Sequence, residues 1–154
     1  TPLFGNELIQ TADDAIFLMQ RELQNSDRET FCVLHLNAKG KPLSMSVVSV
    51  GSLNSTLVHP REVFKASILS NAAAVIFMHN HPSGDLTPSE DDKRTTKQLE
   101  KAGKILGIRV VDHIIVGENK ENYYSFHAND ILNPDEEKQK RKQKKTKHKE
   151  QEVR

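Results

Sequence analysis

Ala73-Ala74-Val75-Ile76-Phe77-Met78-His79-Asn80-His81-Pro82-Ser83-Gly84-Asp85 decides how the rest of the chain is read. Its first six residues are a short, wholly apolar run, suited to a strand buried on both faces. Pro82 and Gly84 then stop regular structure. Residues i and i+2 of a strand point to the same side, so His79 and His81 at the strand's end can aim both imidazoles at one point. The turn leads to Ser89-Glu90-Asp91-Asp92, which opens a helix with Asp92 in its first turn. Two imidazoles and a carboxylate make three protein ligands for a tetrahedral zinc and leave the fourth position to water, as in a catalytic site. Each residue also has a plainer role. The histidines can pack and hydrogen-bond, Asn80 and Asp85 can shape the loop, and Ser89 with Asp92 fits a capping box.

Upstream, Thr11 with Asp13 and Asp14 marks a helix start, the acids lying where the macrodipole favours them. Apolar residues recur from Ala15 to Leu23, and Asn25-Ser26-Asp27 ends the helix. Glu29 to Leu36 reads as a strand. Asn37-Ala38-Lys39-Gly40 turns the chain, and Pro42 to Val50 alternates as the second strand of a hairpin. After a loop from Gly51 to Leu57, His59-Pro60-Arg61-Glu62 opens a helix to about Asn71. Downstream, the helix from Ser89 reaches about Leu106. Val110 to Val116 is a strand, and Tyr123 to Phe126 an edge strand. An opening hairpin followed by alternating helices and strands predicts an α/β domain on a mixed sheet.

Apolar residues are 36% of the 154, and the shortage is local. Residues 135–154 hold nine Lys or Arg against five Asp or Glu, a net of +4, which leaves −3 on residues 1–134 of a chain whose total is +1. The tail has no aromatic residue and Val153 as its one aliphatic side chain. It reads as a solvated, frayed or disordered segment, with nucleic acid or another anionic surface as the partner its charge would suit. The single cysteine, Cys32, excludes an internal disulfide and cysteine-built zinc sites, and its apolar surroundings predict a buried small residue, not a nucleophile. No apolar run approaches a membrane span, and the N-terminus lacks a signal pattern. The cytoplasm is therefore the expected compartment.

His79-Asn80-His81-Pro82, six residues, then Ser89-Glu90-Asp91-Asp92 resembles the JAMM signature of MPN-type metalloproteases: His-x-His-Pro, six residues, Ser, two residues, Asp. Val58-His59-Pro60-Arg61-Glu62-Val63, His79-Asn80-His81-Pro82-Ser83-Gly84 and Asp112-His113-Ile114-Ile115-Val116-Gly117 are similar to the bacterial RadC family, a branch of the same fold. The likeness spans roughly Ala12 to Phe126. It implies one MPN/JAB-type domain over residues 1–134, a mixed sheet flanked by helices with cytidine-deaminase-like layering, and the basic tail over 135–154.

The resemblance also implies roles. His79, His81 and Asp92 would bind Zn2+, and Ser89 would orient the water or help stabilise the oxyanion. Glu29, ahead of the first core strand, would be the general acid/base, with Glu22 and Glu62 as rivals. The expected activity is zinc-dependent hydrolysis of amide bonds in a peptide or protein substrate. In it Glu29 takes a proton from a zinc-activated water and returns it to the leaving amine. The alternative is a DNA-repair-associated accessory protein with a structural or silent metal site; a scaffold without catalysis is a third reading. Of the other histidines, His113 reads as a satisfied structural residue and His59 as setting the start of its helix. His35 has no nameable partner, and His127 and His148 read as exposed.

Overall fold

The computed structural model describes residues 8–23, 28–50, 58–117 and 122–129. The expected helix stop at 25–27, the loop 51–57, the tail 135–154 and His148 lie outside them. The elements run α1 (Ala12–Leu23), β1 (Thr30–Leu36), β2 (Pro42–Val50), α2 (Pro60–Leu69), β3 (Ala74–Asn80), α3 (Glu90–Leu106), β4 (Arg109–Val116) and β5 (Tyr123–Ser125). Each expected element is present within a few residues of its predicted ends. The Thr11 hydroxyl caps α1 by accepting from the Asp14 N–H at 3.3 Å. The Asp14 carboxylate accepts from the Gln10 and Thr11 N–H groups, which hold its pKa below the usual carboxylate value.

The strands form one sheet in the order β2-β1-β3-β4-β5. β1 pairs antiparallel with both β2 and β3. β3 and β4 are parallel, joined by the α3 crossover, and β5 returns antiparallel as an edge. The sheet is therefore mixed, as the order of elements predicts. Strand alternation splits its side chains between two cores. Phe31, Val33, Val75, Phe77, Val110 and Ile115 face Val63 and Phe64 of α2 and Leu99 of α3. Cys32, Leu34, Leu36, Ile76, Met78 and Ile114 face Ala15, Ile16, Met19 and Leu23 of α1. The result is one α/β domain of three layers. Cys32 is wholly buried in the second core. Among the described residues no helix is long and apolar enough to cross a membrane.

β1 and β3 are buried along their whole length, so a polar side chain on either must find partners inside. His35 does. Its Nδ1 lies 2.6 Å from Ser67 Oγ on α2 and its Nε2 2.9 Å from Ser46 Oγ on β2. The sequence suggested neither partner, because both come from other elements.

α3 lies close to the sheet because Gly103 allows it. A Cβ there would sit 2.5 Å from the Ile108 carbonyl oxygen and 3.4 Å from Phe64 and Val110. Gly107, at φ +73°, ends the helix in the left-handed conformation that glycine adopts without strain.

Gly103→Ala should destabilise the domain by about 2 kcal/mol through overpacking, read as a Tm lower by several degrees. An unchanged Tm would contradict the contact. Burial pushes the His35 pKa down to about 4. The unfolded chain takes up a proton near pH 6.5 that the folded chain refuses until about pH 4, so stability is full above about 6.5 and falls as pH drops through that window. His35→Gln, which can still hydrogen-bond both serines, should flatten the pH dependence of urea unfolding there. Buried His79 and His113, also shifted down, should leave a residual slope; a slope equal to wild type would contradict the assignment.

Candidate metal centre

The site is built at the end of β3. The strand runs through His79 to Asn80, two residues beyond the apolar run, because Asn80 still pairs with Val116 of β4. The His81 N–H then donates to the Val116 carbonyl at 2.9 Å, so His81 is held in line with the strand although it lies past its end. His79 and His81 thus share a face, as their spacing predicts, and their rings lie 4.8 Å apart. Pro82 and Gly84 turn the chain at once. The Gly84 N–H donates to the His81 carbonyl at 3.0 Å, and Gly84 takes φ +82°. The turn brings the Asp85 carbonyl to 2.7 Å from His81 Nδ1. A carbonyl can only accept, so Nδ1 carries the proton and a neutral His81 keeps its lone pair on Nε2.

α3 supplies the third group. Ser89 caps the helix: its hydroxyl accepts from the Asp92 N–H at 3.0 Å, and the Asp92 carboxylate accepts from the Ser89 N–H at 2.8 Å. This reciprocal box fixes the buried Asp92 carboxylate against the histidines. His79 Nε2 lies 2.9 Å from His81 Nε2 and 3.5 Å from Asp92 Oδ1, and His81 Nε2 lies 3.3 Å from Asp92 Oδ2. Zinc bonds of about 2.0–2.1 Å at tetrahedral angles put ligand atoms about 3.3 Å apart; each separation is near that value, though the two carboxylate contacts are made by different oxygens of Asp92. The ligand atoms of His79, His81 and Asp92 all lie within 4.8 Å of one another, and these residues could bind a metal ion.

The electrostatics suit a cation. Burial drives the His79 pKa down to about 4, with the Asp92 charge opposing and His81 adding to the shift, so this imidazole is neutral at pH 7. His81 moves up, chiefly through its hydrogen bond to Asp92. Burial alone would raise Asp92, but the His81 hydrogen bond, the His79 charge and the Ser89 donors bring it down to about 2. The carboxylate is ionised and faces two ring nitrogens, and positive charge between them would be welcome, whether as a proton on His81 or as a metal.

Glu29 directly precedes β1. The β1–β3 register pairs Phe31 with His79, and continuing it by two residues sets Glu29 opposite His81. Its charge acts on His81, raising the imidazole's pKa. Asn80 fixes the backbone there: its Oδ1 accepts from the Thr30 N–H at 2.7 Å, and its Nδ2 donates to the Arg28 carbonyl at 3.0 Å. The two bonds bracket Glu29. Of the rivals, Glu22 belongs to α1 on the other side of the sheet, and Glu62 is exposed in the first turn of α2. His59 is the N-cap residue of α2, its carbonyl accepting from Glu62 and Val63. His127 is exposed. Two residues not singled out for the site adjoin it. His113 Nε2 lies 2.6 Å from His79 Nδ1, and Thr96 Oγ1 lies 2.5 Å from His113 Nδ1. His113 is a satisfied structural residue, as the sequence predicts, and its partners come from β3 and α3.

A family model described as the RadC-like JAB domain matches residues 9–131. A UPF0758 protein of Caldanaerobacter subterraneus subsp. tengcongensis is 45% identical over 127 residues, covering 79% of this chain and 54% of the relative. UPF0758 proteins of Desulfitobacterium hafniense (48% over 125 residues; 81% and 54%) and Desulforudis audaxviator (51% over 112 residues; 73% and 49%) are similarly close. The chain spans about half the length of these curated relatives. With its JAMM-type residues gathered at the end of β3, and with this extent of match, the chain belongs to the RadC-like JAB domain family.

Proposed function

We propose that the chain is a zinc-dependent hydrolase of amide bonds, acting on a peptide or protein as a JAMM-type metallopeptidase. The observation that carries this reading is the convergence of the His79, His81 and Asp92 ligand atoms within 4.8 Å of one another, with the charge of Glu29 acting on His81. Bound zinc would supply Lewis acidity, polarising a carbonyl and making a water acidic enough to ionise near neutral pH.

The chain's own residues supply the rest. His79, His81 and Asp92 are the ligands, held by the strand end, the Gly84 turn and the α3 capping box. Glu29 takes the proton of the attacking water and returns it to the leaving amine, so one group serves as base and then acid. The Asn80 bonds to the backbone on either side of Glu29 restrain where its carboxylate can lie, which this double duty favours. Ser89 accepts from the Asp92 N–H, which leaves its own O–H to donate toward the water or the developing oxyanion.

The test is a screen of peptide and isopeptide substrates with zinc-loaded protein beside Glu29→Gln. Turnover in the wild type should fall by at least about 100-fold in the variant, with one zinc per chain retained in both. Equal turnover would remove Glu29 from the mechanism. Zinc bound in the wild type with no amide bond cleaved would overturn the hydrolase reading in favour of a structural or silent metal site.

A further inference from the structure

The hydrogen bonds behind His79 have a direction, and it can be worked out from a single fixed point. Thr96 Oγ1 lies 2.7 Å from the Asp92 backbone carbonyl. That carbonyl has no proton, so the hydroxyl spends its one hydrogen there. The contact between Thr96 Oγ1 and His113 Nδ1 must then run the other way, with Nδ1–H donating to the hydroxyl oxygen. A neutral His113 with its proton on Nδ1 has a lone pair on Nε2, and that atom lies 2.6 Å from His79 Nδ1. His79 must therefore donate from Nδ1, which leaves its lone pair on Nε2, the atom that faces His81 and Asp92.

We propose that His113 and Thr96 are positioning residues that lock His79 in the Nδ1–H tautomer, turning its Nε2 lone pair to the metal position before any metal arrives. The inference deepens the metal-site reading above and rests on it. The chain of bonds closes on itself. Asp92 offers its carboxylate to the site and, through its own carbonyl, anchors the series that orients the other ligand. Thr96 lies one helical turn after Asp92, so the α3 capping box that places the carboxylate also places the hydroxyl.

The surroundings prevent the alternative arrangement. His113 is fully buried. It stacks on Phe126 at 4.5 Å and 15° and meets the rings of Phe31 and Phe77 edge-on. Held on three sides by aromatic rings, it cannot turn its Nδ1 to another acceptor. Partners of a metal-bound imidazole's second nitrogen tune affinity in this way, by fixing tautomer and ring direction.

The test uses the whole chain as wild type, Thr96→Val and Thr96→Ser. Valine keeps the volume but removes the acceptor, which frees His113 to move its proton to Nε2 and push His79 into the wrong tautomer. Zinc affinity by chelator competition should weaken by about 10–100-fold in Thr96→Val and stay close to wild type in Thr96→Ser. In metal-free protein, imidazole 15N NMR should show His79 protonated on Nδ1 in the wild type and in Thr96→Ser, and a mixture or the Nε2–H form in Thr96→Val. A role in packing alone would lower the melting temperature of Thr96→Val but leave its affinity and the His79 tautomer unchanged, and that result overturns the proposal. An Nε2–H tautomer in metal-free wild type overturns it independently of any metal. Wild-type protein that takes up no zinc overturns the metal-site reading and the role proposed here with it, whereas equal affinity in wild type and Thr96→Val overturns this inference alone.

Discussion

Burial of β3 on both faces is the constraint on which the site depends. A strand packed between two cores cannot slip by one residue without moving its apolar set to the wrong side. Val75 and Phe77 are held against α2 and α3, and Ile76 and Met78 against α1. That fixed alternation carries past the apolar run and aims His79 and His81 toward α3, where Asp92 waits. The neighbouring strands then dock on the same reference. β1 brings Glu29 to the level of His81, and β4 brings His113 to the level of Phe77, one pair behind His79. The polar groups sit where they do because the apolar ones leave them no choice.

Local punctuation turns this scaffold into a site. Gly84 folds the chain so that the Asp85 carbonyl accepts from the His81 Nδ1–H, and Ser89 holds Asp92 at the start of α3. The duller explanation of Ser89 and Asp92 as a capping box is correct, and it coexists with the site. A carboxylate that accepts a backbone N–H through one oxygen still presents its charge to both imidazoles. The same economy holds for Asn80, whose side chain points away from the histidines on either side of it and ties down the backbone around Glu29.

The fold and the convergence of His79, His81 and Asp92 were legible in the sequence because they follow from local rules. A period of two places the histidines, a proline and a glycine place the turn, and a serine three residues ahead of an acid places the helix start. Glu29 was reached only through resemblance, since nothing local says that residue 29 will lie opposite residue 81. The partners of His35 and His113 were not legible for the same reason. Ser67, Ser46 and Thr96 are ordinary polar residues until the sheet register and the seating of α2 and α3 bring them to a ring nitrogen. β3 outran its apolar run because backbone pairing with Val116 continues where hydrophobicity stops.

The central claim is a metal held by these three side chains, and zinc-edge X-ray absorption on purified protein tests it most directly, with the His79→Ala, His81→Ala double variant alongside. About one zinc per chain is expected, with nitrogen and oxygen ligands at about 2.0–2.1 Å and an imidazole signature lost in the double variant. Equal zinc with an unchanged spectrum in the double variant, or none in the wild type after incubation with zinc, would contradict it.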